Sequence, residues 1–189
     1  MKKVIISVLG QDRPGIIAAV SGILFENDCN IENVSQTILQ SEFAGIFIAT
    51  TPDDLSAESL HKYFEQGLAP LNLYAHIKPV SQTEFMPESL KVLLQDAEPF
   101  VITTRGPDRK GLVAEITRVI ARYGVNVTNL QAVFKGGDDP NKNIMIYEVD
   151  IPALTDQQSL YADLREKADK LNLTVSIQHR NIFEAINRI

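Results

Sequence analysis

The sequence predicts an α+β chain made of two tandem βαββαβ modules, each an antiparallel four-stranded sheet with its helices on one face. One observation is an internal repeat. Val4-Ile5-Ile6-Ser7-Val8-Leu9-Gly10-Gln11-Asp12-Arg13-Pro14-Gly15 is answered by Phe100-Val101-Ile102-Thr103-Thr104-Arg105-Gly106-Pro107-Asp108-Arg109-Lys110-Gly111, so that G-x-D-R-x-G follows an apolar run both times. The match continues at the same offset, where Asn30-Ile31-Glu32-Asn33 corresponds to Asn126-Val127-Thr128-Asn129. A period this long suits two whole domains and not a solenoid. A second observation is the hydrophobic period, which switches between strand-like and helix-like in the order β-α-β-β-α-β within each copy.

In the first copy, residues 3–9 form a strand that is apolar at nearly every position. Residues 13–28 form a helix with Ile16, Val20, Ile23 and Leu24 on one face and Ile17 widening it. Strands over 30–40 and 43–51 follow, then a helix over 56–68 with Leu60, Tyr63, Phe64 and Leu68 inward. In the last strand, 72–79, Leu73, Ala75 and Ile77 alternate with Tyr74, His76 and Lys78. The second copy repeats this. Its first helix carries Leu112, Val113, Ile116, Val119, Ile120 and Tyr123, and its second carries Leu160, Leu164, Ala168 and Leu171. Thr155 and Gln158 have capping-box spacing at the start of that second helix. Leu173, Val175 and Ile177 alternate with Thr174, Ser176 and Gln178, marking a sheet with one buried face. The element order is ferredoxin-like. Residues 1–80 and 99–189 are thus two domains, and 81–98 is a linker with a short helix over 88–94. The tail carries Ile182, Phe183, Ile186 and Ile189 at helical spacing. The first strand is apolar on both faces, which predicts that its sheet is covered by the other repeat, the tail or a second chain, and that the protein dimerises.

Composition narrows the function. The chain has 189 residues, 18 basic against 24 acidic, for a net charge of −6. That balance draws in neither nucleic acid nor an anionic membrane surface. No apolar run approaches the roughly 20 residues that span a bilayer. Lys2-Lys3 and the apolar run after them imitate a signal peptide, but Gln11-Asp12-Arg13 ends the run and a strand is the better reading. The single cysteine, Cys29, leaves no disulfide framework, and a cytoplasmic location is expected. His61, His76 and His179 are scattered without metal-ligand spacing. The Gly136–Asn141 stretch lacks the calcium-loop and P-loop patterns and reads as a hairpin loop. No catalytic residue, metal or cofactor is assigned.

The strand-to-helix turns carry the strongest signal. Asp12 and Asp108 suit an N-cap, Pro14 suits the first helical turn, and Gly10 and Gly106 suit a sharp bend. Capping does not explain why Gly15 and Gly111 recur, since glycine in a first turn is weaker than alanine by about 1 kcal/mol. A bare backbone beside free helix amides suits the approach of a carboxylate or phosphate. Asn30 with Asn33, and Asn126 with Asn129, either shape the chain after the helix or offer amides to a zwitterion.

Strand, G-x-D-R-P-G, helix, Cys29-Asn30-Ile31 and strand resemble the ACT domain, over nearly the whole chain and twice. Two such modules in this length resemble the glycine cleavage system transcriptional repressor family. The resemblance implies an amino-acid-sensing module without cofactor, in which modules pair side by side and ligands bind where they meet. It places the contacts at Gly10, Asp12, Arg13, Pro14, Gly15 and Ile16 with Asn30 and Ile31. In the second copy they fall at Gly106, Asp108, Arg109, Gly111 and Leu112 with Asn126 and Val127. Its implied partners are a small-molecule ligand, an amino acid, and a protein such as a transcription activator. Direct nucleic-acid or membrane binding is not implied. Lys110 replaces Pro14, and Gly124-Val125 replaces Asp28-Cys29, so the second loop and helix end are expected to differ. Two other classes share the element order. An RNA-binding module needs aromatics such as Phe43 and Phe47 on the open sheet face. An acylphosphatase-like hydrolase needs Arg13 beside Asn30.

Overall fold

Val4, Ile6 and Val8 are buried and alternate with more open neighbours along β1 (Lys2–Gln11), which commits one face of that strand to a core. The computed structural model, which describes residues 2–80, 96–134 and 143–187, assembles the first unit on this strand. After β1 come α1 (Ile16–Glu26), β2 (Asn30–Leu39), β3 (Glu42–Thr51), α2 (Ala57–Leu68), a 3-10 turn (Ala69–Leu71) and β4 (Tyr74–Val80). The sheet order is β2-β3-β1-β4, and every neighbouring pair is antiparallel. The second unit repeats it with β5 (Glu98–Gly106), α3 (Leu112–Arg122), β6 (Asn126–Phe134), β7 (Asn143–Ile151), α4 (Gln157–Lys170) and β8 (Thr174–His179) in the order β6-β7-β5-β8. A further helix, α5 (Arg180–Asn187), ends the chain. The two compact units are Met1–Pro87 and Glu88–Ile189. The short helix expected over 88–94 and the hairpin loop expected at 136–141 lie outside the described residues.

In each unit two helices pack on one face of the sheet; in the second, Val101 on the opposite face is also buried, and α5 packs against β5 and β8. In the first unit Ile16, Val20 and Leu24 of α1 and Leu60, Phe64 and Leu68 of α2 pack on Val4, Ile6, Phe43 and Phe47. In the second, Leu112, Ile116 and Ile120 of α3 and Leu160, Leu164 and Ala168 of α4 pack on Ile102, Met145, Tyr147 and Val149. Each such large side chain contributes about 1.5–3 kcal/mol by leaving water. The buried stripes are narrower than the sequence pattern implied. Ile17, Tyr63 and Val113 are 41%, 43% and 38% exposed. Each sits one position round the helix from an i, i+4, i+8 stripe, at its margin.

The helix ends are alike in the two units, contrary to expectation. Asp28 (φ 54°) and Gly124 (φ 67°) both take the left-handed conformation after their helices. The amides of Cys29 and Val125 then reach back to the carbonyls of Leu24 at 2.9 Å and Ile120 at 3.4 Å. This is a Schellman cap, which an aspartate fills in one copy and a glycine in the other. The start of α4 is also displaced by one residue from the expected capping box. Asp156, not Thr155, is the cap, its Oδ1 accepting the Ser159 amide at 3.1 Å and its Oδ2 the Ser159 hydroxyl at 2.6 Å. Arg180, at the start of α5, reaches Glu148 at 3.6 Å and Asp150 at 3.8 Å, so the tail is tied to β7 of its own unit. On the uncovered face of the first sheet, Leu9, Ile46 and Tyr74 are exposed.

Glu115 links α3 to α4. It accepts from Lys167 at 2.8 Å and from Arg118, and these partners hold its carboxyl below the ordinary glutamate value of 4.5. A depressed carboxyl contributes stability above its unfolded pKa and loses it as pH falls through the folded value. Melting temperature measured against pH should therefore fall in the acid region below about pH 4.5, and Glu115→Gln should flatten that limb. An identical acid limb in the variant would remove the bridge from the account.

Candidate functional site

The repeated G-x-D-R-x-G motif folds into the turn between the first strand and first helix of each unit. Gly10 pairs with Phe43 and Gly106 with Asn143 in the sheet. Both glycines are required by a close approach. A Cβ on Gly10 would lie 2.6 Å from Leu73 Cδ2, and one on Gly106 would lie 2.7 Å from the Asn172 carbonyl. Their task is to let the turn before the last strand come in, and not to bend the loop itself. Beyond them the Asp12 amide donates to the Ser41 carbonyl at 2.8 Å, which anchors the loop to the β2–β3 turn.

The helices start later than residue 13 because the cap is not the aspartate. Gly15 (φ 98°) and Gly111 (φ 90°) are the N-caps, both left-handed and both without a side-chain hydrogen bond to the helix. Nothing lies within 4 Å of where a Cβ would stand on either. Backbone conformation therefore demands glycine, and the space beside it is open. The first backbone bonds run from Ala19 to Gly15 and from Glu115 to Gly111, both at 2.9 Å. The amides of Ile16, Ile17 and Ala18, and of Leu112, Val113 and Ala114, are left at the positive end of the helix dipole. In the first unit they border a cleft of about 270 Å³ formed by Asp12 to Ala18 with Gln36 and Phe43. In the second, Arg109 donates to the Lys170 carbonyl at 3.4 Å, at the C-terminal end of α4.

The asparagine pairs lie elsewhere. Asn30 pairs with Thr50, and Leu39 at the far end of β2 pairs with Glu42, beside Gln11 and the loop. Asn30 and the loop are thus separated by the length of a ten-residue strand, roughly 30 Å. Both copies also carry a β-bulge, between Ile31 and Asn33 and between Val127 and Asn129. The bulge turns a three-residue spacing into a same-face pair, so Asn30 and Asn33 both stand on the uncovered face of the sheet. Ile31 and Val127 face the helix side. The Asn129 amide is already engaged, donating to Glu148 at 2.8 Å. The loop and the asparagines of one module therefore differ in both end and face. Arg13 and Asn30, the pair a hydrolase would need, are likewise apart. Phe43, Phe47 and Tyr147 are buried beneath the helices and give no stacking surface for bases.

Gln36 and Phe43 line the cleft and were not among the expected contacts. Register alone could have found Phe43, because it opens the third strand opposite Gly10. Its counterpart Asn143 is 5% exposed, and neither its Nδ2 nor its Oδ1 has a hydrogen-bond partner. Below it the Tyr147 phenol, pushed up to about 12 by burial, donates to Met145 Sδ at 3.4 Å. The fully buried Thr104 hydroxyl makes no hydrogen bond of good geometry, although it is near enough to that phenol to offset part of the rise. Burial raises the Cys29 thiol pKa, with the Asp28 charge adding to it. Among the described residues, no three His, Cys, Asp or Glu side chains gather as a metal site.

The ACT domain model matches residues 2–73 and 98–178. A UPF0237 protein of Methanopyrus kandleri is 36% identical over 68 residues, covering 35% of this chain and 76% of that protein. A UPF0237 protein of Streptococcus pneumoniae is 33% identical over 84 residues, covering 44% of this chain and 96% of that protein. Among solved structures, an unknown protein from Galdieria sulphuraria has a TM-score of 0.72 at 19% identity, covering 94% of this chain and 98% of its own. A candidate glycine cleavage system transcriptional repressor has a TM-score of 0.64 at 18% identity, covering 94% and 96%. At these identities the structural likeness is one of fold.

Replacing Gly106 by alanine should push a methyl group into the Asn172 carbonyl. The expected cost is about 1–3 kcal/mol in urea unfolding of the chain. Unchanged stability would mean that the approach is not tight.

Proposed function

The chain belongs to the ACT domain family, and on that premise we propose that it is a non-enzymatic regulatory protein that binds a small metabolite, an amino acid, at its strand-to-helix loops. The reading is carried by one observation: a glycine-capped helix start with uncapped amides is built at the same place in both units. An α-carboxylate suits those amides and the positive end of the helix dipole. The bare glycine beside them leaves room for it.

The asparagine groups enter the same reading only through a second module. One ligand can touch a loop and the Asn30 or Asn126 region together only where a second copy of the chain brings its module alongside in the opposite direction. The β2 edge favours such pairing. Residues 32–39 are all exposed, with Val34, Ile38 and Leu39 among them, and an unpaired edge of this kind is a template for another strand. Homodimerisation and a cytoplasmic location belong to this reading. Among the described residues, no helix is long and apolar enough to cross a membrane.

A ligand shifts a conformational equilibrium only by its difference in affinity for the two states. Coupling of about 1–3 kcal/mol is typical and changes a partner's affinity several-fold or more. The sequence offers no basic recognition helix, so control of transcription would run through a DNA-binding partner such as an activator.

Thermal melting of the full chain against the twenty amino acids, confirmed by calorimetry, tests this. A ligand of the native state raises the melting temperature with saturation. The expected result is a shift with one or a few amino acids, and weaker binding in Asn30→Ala or Asn126→Ala. No shift with any of the twenty would overturn the amino-acid reading.

A further inference from the structure

The two units use one backbone but differ chemically under their loops. Positions equivalent through the Gly10–Phe43 and Gly106–Asn143 pairings can be compared directly. Val8, Phe43 and Phe47 form part of the apolar core below the first loop. Thr104, Asn143 and Tyr147 stand at the same places below the second. Each of the three apolar side chains is replaced by one with a hydrogen-bonding group, and all three replacements are buried. Two serve poorly as packing alone. The Asn143 carboxamide is 5% exposed with both polar atoms unpartnered, and the Thr104 hydroxyl beneath it has no good partner. An orphaned buried polar group costs about 1–3 kcal/mol. Phenylalanine at the equivalent place shows that the fold does not require the amide.

Asn143 also occupies the right position. It starts β7 opposite Gly106, and its position follows the buried, helix-side alternation of Met145, Tyr147 and Val149. Its counterpart Phe43 lines the cleft at the start of α1. By that equivalence Asn143 occupies, at the start of α3, the position that Phe43 occupies at the start of α1.

We propose that the second module holds the working ligand site, with Asn143 as its hydrogen-bonding floor, and that the first module, floored by Phe43, does not take the ligand. This rests on the reading above and names its site and chemistry. The ligand class is a small zwitterion, an α-amino acid. Its carboxylate lies at the start of α3, and it meets the carboxamide with a donor to Oδ1 and an acceptor to Nδ2. The ligand supplies partners for both polar atoms of the Asn143 carboxamide. One molecule therefore binds per chain although the loops are duplicated.

The test is calorimetry on the full chain with each amino acid that raises the native melting temperature. A stoichiometry of one is expected, with a loss of tenfold or more in affinity for Asn143→Leu. Asn143→Leu should melt at or above the native temperature, because the orphaned amide is gone. Native affinity in that variant would show the amide to be a packing defect only, overturning the proposal while leaving the function in place. Two molecules per chain would overturn it as well. Should none of the twenty bind the native chain, the functional reading and this proposal fall together. If Asn143→Leu does not fold, Asn143→Asp, nearly isosteric and repelling a carboxylate, must bind at least tenfold more weakly, and equal binding would refute the proposal.

Discussion

The loop end of each unit depends on one contact between backbones. Asn72 and Asn172 adopt the left-handed conformation after the second helical segment, with φ of 52° and 55°. Leu73 and Leu173 follow, buried to 7% and 4% exposure, with amides bonded back to the carbonyls of Leu68 and Ala168. That turn is driven up against Gly10 and Gly106, where no side chain fits. The contact sets where the first strand of each unit stops. It also sets the direction in which the chain leaves toward the next helix. The glycine N-caps, the free amides and the cleft at Asp12 to Ala18 all lie downstream of that constraint.

A duplicated scaffold need not duplicate its chemistry. The helices, caps, bulges and sheet order agree between units almost position for position. Three polar-for-apolar departures lie under the second loop, at Thr104, Asn143 and Tyr147, and one runs the other way at the far end, where Thr51 is buried in place of Ile151. Polar groups buried without partners oppose folding, and natural proteins tolerate such conflicts mainly where function uses them. On this view the first unit is the better-packed copy and the second gives up stability to recognise something.

The repeat, the element order and the loop were legible in sequence because hydrophobic period and motif spacing report them directly. The cap was not. Asp12 and Gly15 are both acceptable N-caps by residue type, and only the backbone angle at Gly15 decides between them. The Asn30 and Asn33 pair was legible as a repeat but not as a position. Strand alternation would put them on opposite faces, and the bulge that reunites them leaves no mark in composition. Ile17 and Val113 look like core because they are apolar and next to core positions, yet they sit at the margin of the covered stripe. Asn143 looks like an ordinary hairpin residue until its burial and missing partners are known.

The central claim is that a small zwitterion binds at the glycine-capped start of α3, over Asn143. Amide-resolved NMR of the isotope-labelled chain, titrated with the amino acid that most raises its melting temperature, tests this most directly. The account predicts that the backbone amides of Leu112, Val113 and Ala114 and the side-chain NH2 of Asn143 move together and saturate together, while those of Ile16, Ile17 and Ala18 stay in place. Perturbations confined to other parts of the chain, or no movement at the start of α3 at saturation, would contradict it.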